Sequence, residues 1–164
     1  MRISVLIISV ALFTACGGFS RPLPNSHETP EALSRAVLSA IEARNVNALH
    51  ALALDRQEFT EHVWPELPAA RPERNLSAAF LWGDLNQKSN ITLRDTLATH
   101  GGKKYEFVSI RFLGEATQYE TYRVQRESEL TVKDLDGTER QIRVFGSMIE
   151  KGGRYKVFSY VIDD

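Results

Sequence analysis

The chain has 164 residues, of which 20 are Lys or Arg and 21 are Asp or Glu, and its net charge is −1 at pH 7. Charges of both signs are mixed along the chain, which excludes the basic surfaces that bind nucleic acid. The length suits one domain, and the single cysteine excludes an intrachain disulfide.

An apolar run over residues 3–13 follows Met1 and Arg2. As a helix, this run would reach about 16 Å, which is roughly half of the ~30 Å hydrocarbon core of a bilayer. It is therefore too short to span a membrane. Its length and its flanking residues are typical of a cleavable signal peptide.

The only cysteine, Cys16, lies just after this run and is preceded by Thr14 and Ala15. The pattern resembles the bacterial lipoprotein box, in which small residues precede a cysteine that is acylated and becomes the first residue of the mature chain. The resemblance implies a signal peptide over residues 1–15, lipidation of Cys16 with acyl chains such as palmitate, and a membrane anchor. Phe13 departs from the Leu that this family prefers at that position.

The residue after the cysteine indicates which membrane the resemblance implies. Gly17 stands where Gram-negative lipoproteins that stay at the inner membrane have Asp. The resemblance therefore favours the outer membrane of the bacterial cell envelope, with the protein facing the periplasm. Two alternatives remain open, namely an ordinary signal peptide and a cysteine that packs as a small apolar side chain.

Residues 16–28 are rich in Gly, Pro and Ser and lack an apolar period, which predicts a flexible tether after the lipidated cysteine. Residues 29–164 are predicted to form a single α+β domain. Thr29 and Pro30 mark the start of its first helix, which the apolar stripe extends for about 15 residues. Asn47 is expected to cap a second helix.

A third short helix is predicted where Asp55 and Glu58 form a capping box. Three prolines predict an irregular loop over residues 64–75. A long helical tract follows and extends to about Thr99. Gly83 and Ser89-Asn90 weaken its middle, so the alternative is two helices.

After Gly102 the apolar period changes from about 3.6 to 2. Four strands joined by hairpins are predicted, over residues 105–113, 119–133, 140–150 and 155–162. The predicted fold class is α+β, with N-terminal helices packed on a curved four-stranded antiparallel sheet.

The order of these elements resembles the nuclear-transport-factor-two-like superfamily, also called the cystatin-like cone. The resemblance rests on that order and on the Asn45-Val46-Asn47-Ala48-Leu49 segment that begins the second helix. It implies a cavity between sheet and helix. Some members, such as ketosteroid isomerase, perform acid–base chemistry there, and others only bind ligands or form dimers. The proline loop departs from the family, and a plain helix-plus-sheet domain is the alternative.

Asp84, His62 and Tyr122 are the candidates for acid–base catalysis, because that chemistry needs only a carboxylate or an imidazole tuned by burial. The alternative for Asp84 is a solvated carboxylate beside the apolar stripe. No metal-ligand spacing, nucleophile motif or phosphate-binding loop is found, so no metal and no cofactor are expected.

The candidates for ligand or partner binding lie on the proline loop, the long helix and the sheet. Arginines on the strands could line a concave polar face, and the alternative is a solvated face with cross-strand pairs. The loop candidates could equally belong to a proline-stiffened connection. The binding candidates are Trp64, Arg71, Arg74, Trp82, Arg111 and Arg123.

Three hypotheses about function follow from the sequence. The leading one is a lipid-anchored, non-catalytic domain of the cell envelope that binds a small ligand or a protein partner. The second is a small acid–base enzyme of the cone type, resembling isomerases and dehydratases. The third is an assembly subunit that forms a homodimer through its sheet.

Overall fold

The structure, a computed structural model, describes residues 21–162. The predicted signal peptide and the lipidation site at Cys16 lie outside these residues. Within them the chain is α+β, with four α-helices and two antiparallel sheets. No helix in the described range is both long and apolar enough to cross a bilayer.

The first two helices are α1 (Pro30–Glu42) and α2 (Val46–Leu52). Thr29 caps α1, because its side chain accepts a hydrogen bond from the backbone N–H of Ala32 at 3.1 Å. The predicted cap of α2 was wrong. Asn45, rather than Asn47, accepts the bond from the N–H of Ala48, which is three residues along.

The third helix, α3 (Arg56–Glu58), begins with the predicted capping box and continues as a π-helical turn, Phe59–Val63. The proline loop is more regular than predicted. It consists of three successive 3₁₀ turns, each with proline at its first or second position. Proline suits the start of a helical turn, but it has no backbone N–H with which to continue the helical hydrogen bonds. The turns are Trp64–Glu66, Pro68–Ala70 and Pro72–Arg74.

The long helix α4 (Ala78–His100) is continuous and is capped by Ser77. Gly83 does not divide it, since a single glycine lowers helix propensity by only about 1 kcal/mol. Its N-terminal half packs beside the π-helical turn and its C-terminal half beside α1. The helix therefore contacts two different parts of the core.

The predicted single four-stranded sheet was wrong, because two of the predicted strands are each broken in the middle. Between residues 21 and 162 the chain forms seven strands in two sheets, of order β1-β4-β5 and β2-β3-β6-β7. The strands are β1 (Glu106–Phe112), β2 (Thr117–Gln118), β3 (Tyr122–Arg126), β4 (Ser128–Lys133), β5 (Glu139–Ile142), β6 (Ser147–Lys151) and β7 (Arg154–Ser159).

The two breaks lie side by side and form one corner between the sheets. Glu127, with φ of 53°, turns the chain out of β3 and into β4. Residues 143–146 turn it from β5 into β6. The N–H of Ser128 donates to the carbonyl of Gly146 at 3.0 Å, which joins the two breaks. Gly146 is required here, since a Cβ at this position would lie 1.5 Å from the carbonyl oxygen of Val161.

The core consists of two clusters. The first core cluster packs α1 and α2 on the three-stranded sheet, and the second core cluster packs the π-helical turn on β3 and β6. Leu23 is 4% exposed within the second cluster, and His27 pairs with Tyr155 of β7. The described part of the predicted tether, residues 21–28, is thus packed on the domain.

Candidate functional site

A cleft of about 370 Å³ lies between α4 and the corner where the two sheets meet. We call it the corner cleft. Its volume is within the range of small-molecule sites. Helix α4 contributes Asp84, Leu85 and Lys88, and the corner and β7 contribute the rest. These are Arg126, Glu127, Arg143, Gly146, Ser147, Phe158, Ser159 and Val161.

The corner cleft exists because the strands bend there. The left-handed backbone of Glu127 places that residue and Arg126 on one side of the cleft. Gly146 lets the chain after β7 approach the corner and form the opposite side. The hydroxyl groups of Ser147 and Ser159, 3.4 Å apart, lie between the two sides.

Basic groups outnumber acidic groups around the corner cleft. Lys88, Arg126 and Arg143 carry positive charge, while Asp84 and Glu127 carry negative charge. The Nε and Nη2 atoms of Arg143 are buried. Arginine presents a planar set of donors that matches a carboxylate, and such pairing is stronger where water is excluded. Basic groups arranged in this way can bind an anionic group.

Asp84 is exposed and paired. Its side chain is 57% exposed, and its Oδ2 atom lies 2.8 Å from the Nζ atom of Lys88 one turn along α4. Both partners are solvated, as the sequence-based alternative for Asp84 described. The carboxylate forms part of the rim of the corner cleft.

The other two acid–base candidates lie elsewhere. His62 is half-buried in the π-helical turn and lines a separate cleft of about 600 Å³ beside Arg21. Tyr122 is 2% exposed and donates its phenol O–H to the carbonyl of Val63 at 3.2 Å. Burial, with smaller contributions from Tyr119 and Glu66, raises the pKa of Tyr122. The structure brings no two of the three candidates into one cleft.

The two tryptophans among the binding candidates support the core. Trp64 and Trp82 are half-buried and pack against the second core cluster. The ring of Trp82 lies 5.5 Å from that of Phe59, measured between centroids. Arg71 and Arg74 are exposed in the proline loop.

The two arginines predicted on strands belong to different sheets. Arg111 of β1 donates to Glu129 of β4, with Nε 2.6 Å from Oε1, and so forms a cross-strand pair. Arg123 of β3 is directly opposite Glu150 of β6 and lines a smaller cleft of about 190 Å³. The sheet arginines therefore do not form one concave face.

Two buried lysines were missed by the sequence analysis. Lys156, 3% exposed, places its Nζ atom 2.6 and 2.8 Å from the two carboxylate oxygens of Glu58. Lys151, 7% exposed, donates to the hydroxyl of Thr121 at 2.6 Å. The backbone N–H of Thr121 in turn donates to the carboxylate of Glu66 at 3.1 Å. The sequence feature that could have identified them is a lysine at a strand position whose side chain faces the core.

No group of three or more potential metal ligands occurs among residues 21–162. Comparison with protein-family models, curated proteins and solved structures finds no match to the chain.

Proposed function

We propose that this protein is a lipid-anchored component of the bacterial cell envelope whose domain binds a small anionic ligand in the corner cleft. The anchor is the acylated Cys16, and the proposed location is the outer membrane, facing the periplasm. The fold is proposed to be a divergent form of the cystatin-like cone. Binding, rather than catalysis, is the proposed activity.

The observation that carries the binding proposal is the set of charges at the corner. Two arginines and a lysine lie around a cleft of about 370 Å³, whose lining also includes the paired hydroxyl groups of Ser147 and Ser159. One of the arginines has buried guanidinium nitrogens. A carboxylate is the chemical group that this donor set fits best.

The acid–base alternative is weaker because its residues do not converge. Asp84 lines the corner cleft, whereas His62 and Tyr122 line two other clefts. General acid–base catalysis requires the reacting groups within hydrogen-bond reach of one substrate. No specific contact in the described residues favours the homodimer hypothesis.

Titration with small carboxylic acids tests the binding proposal. We expect glutarate or benzoate to shift the backbone amide NMR signals of Ser147, Phe158 and Ser159, and the corresponding neutral amides to leave them unchanged. Replacing Arg126 by Ala is expected to weaken binding about tenfold, which corresponds to about 1.4 kcal/mol.

The matched control is Arg111→Ala, which removes an exposed arginine from the other sheet. This variant is expected to bind the acids as the unmodified protein does. Equal weakening by both substitutions, or shifts scattered over the surface, would contradict a site at the corner. Labelling cells with a radioactive fatty acid tests the anchor separately, since Cys16→Ser is expected to abolish incorporation.

A further inference from the structure

The structure limits how far the domain can lie from its anchor. The prediction of a flexible tether over residues 16–28 would allow the domain to stand away from the bilayer in any orientation. In the structure the chain is attached to the domain from Leu23 onward. The Leu23 side chain is 4% exposed and belongs to the second core cluster. Residues 23–28, the last six of the thirteen in the predicted tether, are therefore part of the fold.

Several bonds hold this segment in place. The backbone of His27 both donates to and accepts from Tyr155 of β7, at 2.8 Å in each direction. The guanidinium of Arg154 donates from Nε to the hydroxyl of Ser26 at 3.2 Å. The segment is thus fixed both in the core and at the edge of the sheet.

The chain between the anchor and the domain is correspondingly short. Four residues separate Cys16 from Arg21, the first described residue, so five Cα–Cα steps join the two. Fully extended, they reach about 18 Å, and a flexible chain of that length has an average span of about 12 Å. A domain of this size has a radius of gyration of about 15 Å, so the connection is shorter than the domain is wide.

We infer that the domain lies against the bilayer that holds its acyl chains, with the face around Arg21 directed toward the lipid. This inference rests on the proposed acylation of Cys16. The face consists of Arg21 and the residues that share its cleft on α3 and the π-helical turn. They include Pro22, Gln57, Glu61 and His62.

The charges of this face indicate what holds it there. Among the described residues that line this cleft, Arg21 is basic, whereas Asp55, Glu58 and Glu61 are acidic. A face on which acidic residues outnumber basic ones is not attracted to an anionic lipid surface, which attracts clusters of basic residues. The short connection, rather than electrostatic attraction, therefore sets the orientation of the domain.

The lipidated full-length protein offers a direct test, because acylation occupies its only thiol. A cysteine introduced as Gln57→Cys on the proposed membrane face can be labelled alone with an environment-sensitive fluorophore. The matched control is Leu135→Cys, at an exposed position in the β4–β5 hairpin of the other sheet. Both proteins are placed in phosphatidylethanolamine–phosphatidylglycerol vesicles that contain lipids with a quencher in the headgroup.

We expect quenching at position 57 to exceed that at position 135 at least threefold. Inserting twelve Gly and Ser residues between Ser20 and Arg21 is expected to remove this difference. Equal quenching at the two positions in an acylated protein would overturn the orientation while leaving the anchor intact. A difference that persists after the insertion would overturn the role given to the short connection.

Mass spectrometry of the extracted protein separates the two proposals. A mass equal to that of the bare polypeptide would overturn the anchor, and the orientation with it. A mass increased by acyl chains, together with unequal quenching, supports both.

Discussion

Two lysine–carboxylate pairs in this protein have almost the same geometry and opposite surroundings. In the second core cluster, Lys156 lies 2.6 Å from an oxygen of Glu58, and their side chains are 3% and 6% exposed. At the corner cleft, Lys88 lies 2.8 Å from Asp84, and their side chains are 60% and 57% exposed. The N–O distance alone would predict that the two pairs contribute equally to stability.

Burial makes the two pairs different in kind. In water, each charge of an exposed pair keeps its hydration, so breaking the pair changes the stability little. In the core, neither charge can recover its hydration if its partner is removed. The two charges of the buried pair therefore depend on each other, whereas the exposed pair is available to interact with something else.

The largest effect is expected from Lys156→Met. The variant leaves the carboxylate of Glu58 buried without its cation, which typically lowers the free energy of unfolding by about 3–5 kcal/mol. Urea denaturation followed by circular dichroism measures this change.

The double variant Glu58→Gln, Lys156→Met is the control for that experiment. The glutamine amide oxygen can still accept the backbone N–H of Asp55, as Glu58 Oε2 does at 2.9 Å, and no charge is left at this site. We expect the double variant to be more stable than Lys156→Met alone. A loss under about 1 kcal/mol in the single variant would show that burial does not distinguish the two pairs.

A smaller effect is expected from Lys151→Met, because the partner of Lys151 is a hydroxyl rather than a carboxylate. The variant loses one hydrogen bond of about 1 kcal/mol but also removes a buried charge, so the net change at pH 7 is expected within about 1 kcal/mol. Thermal unfolding of the two proteins under the same conditions measures it.

The same pair of proteins is expected to differ in pH dependence. Burial lowers the pKa of Lys151 in the folded state, while the charge of Glu66 acts in the opposite direction. Between that lowered pKa and 10.5, the unfolded chain binds more protons at this lysine than the folded protein does, so rising pH favours the folded protein. The melting temperature of the unmodified protein is therefore expected to rise relative to that of Lys151→Met between pH 7 and 10. A difference that falls over this range would contradict the assignment.

The sequence predicted the helical half of the fold well. The start of α1 and the capping box of α3 depend on contacts within three or four residues, which a local pattern contains. The sheet was predicted less well, since the apolar alternation continues through Glu127 while the backbone turns into the other sheet. A bend of this kind depends on contacts between distant segments, such as Ser128 with Gly146.

The same limit applies to the candidate site. Asp84 was selected from its place beside an apolar stripe, and it does line the corner cleft. Its neighbours there, Arg126 and Arg143, come from the two strand breaks and could not be assigned to one site without the corner. The buried ion pair joins residues 98 positions apart, a separation that no local pattern reports.

The smallest effect on stability is expected from Lys88→Ala, which breaks the exposed pair. Asp84 and Lys88 are one helical turn apart, and such pairs contribute about 0.3–0.5 kcal/mol. Alanine also favours helix slightly more than lysine, so the free energy of unfolding is expected to change by less than about 0.5 kcal/mol. Urea denaturation beside Gln87→Ala, an exposed position of α4 outside the corner cleft, measures the change against a matched control.

Binding is where Lys88→Ala is expected to act. The variant removes one positive charge from the rim of the corner cleft and leaves the Asp84 carboxylate there without its ammonium partner. Both changes oppose an anionic ligand, so glutarate is expected to bind Lys88→Ala several-fold more weakly than it binds Gln87→Ala. Equal affinity in the two variants, with stability unchanged, would place the ligand away from this exposed pair. In that case the exposed Asp84–Lys88 pair would have no role in ligand binding, and the contrast drawn with the buried pair would not hold.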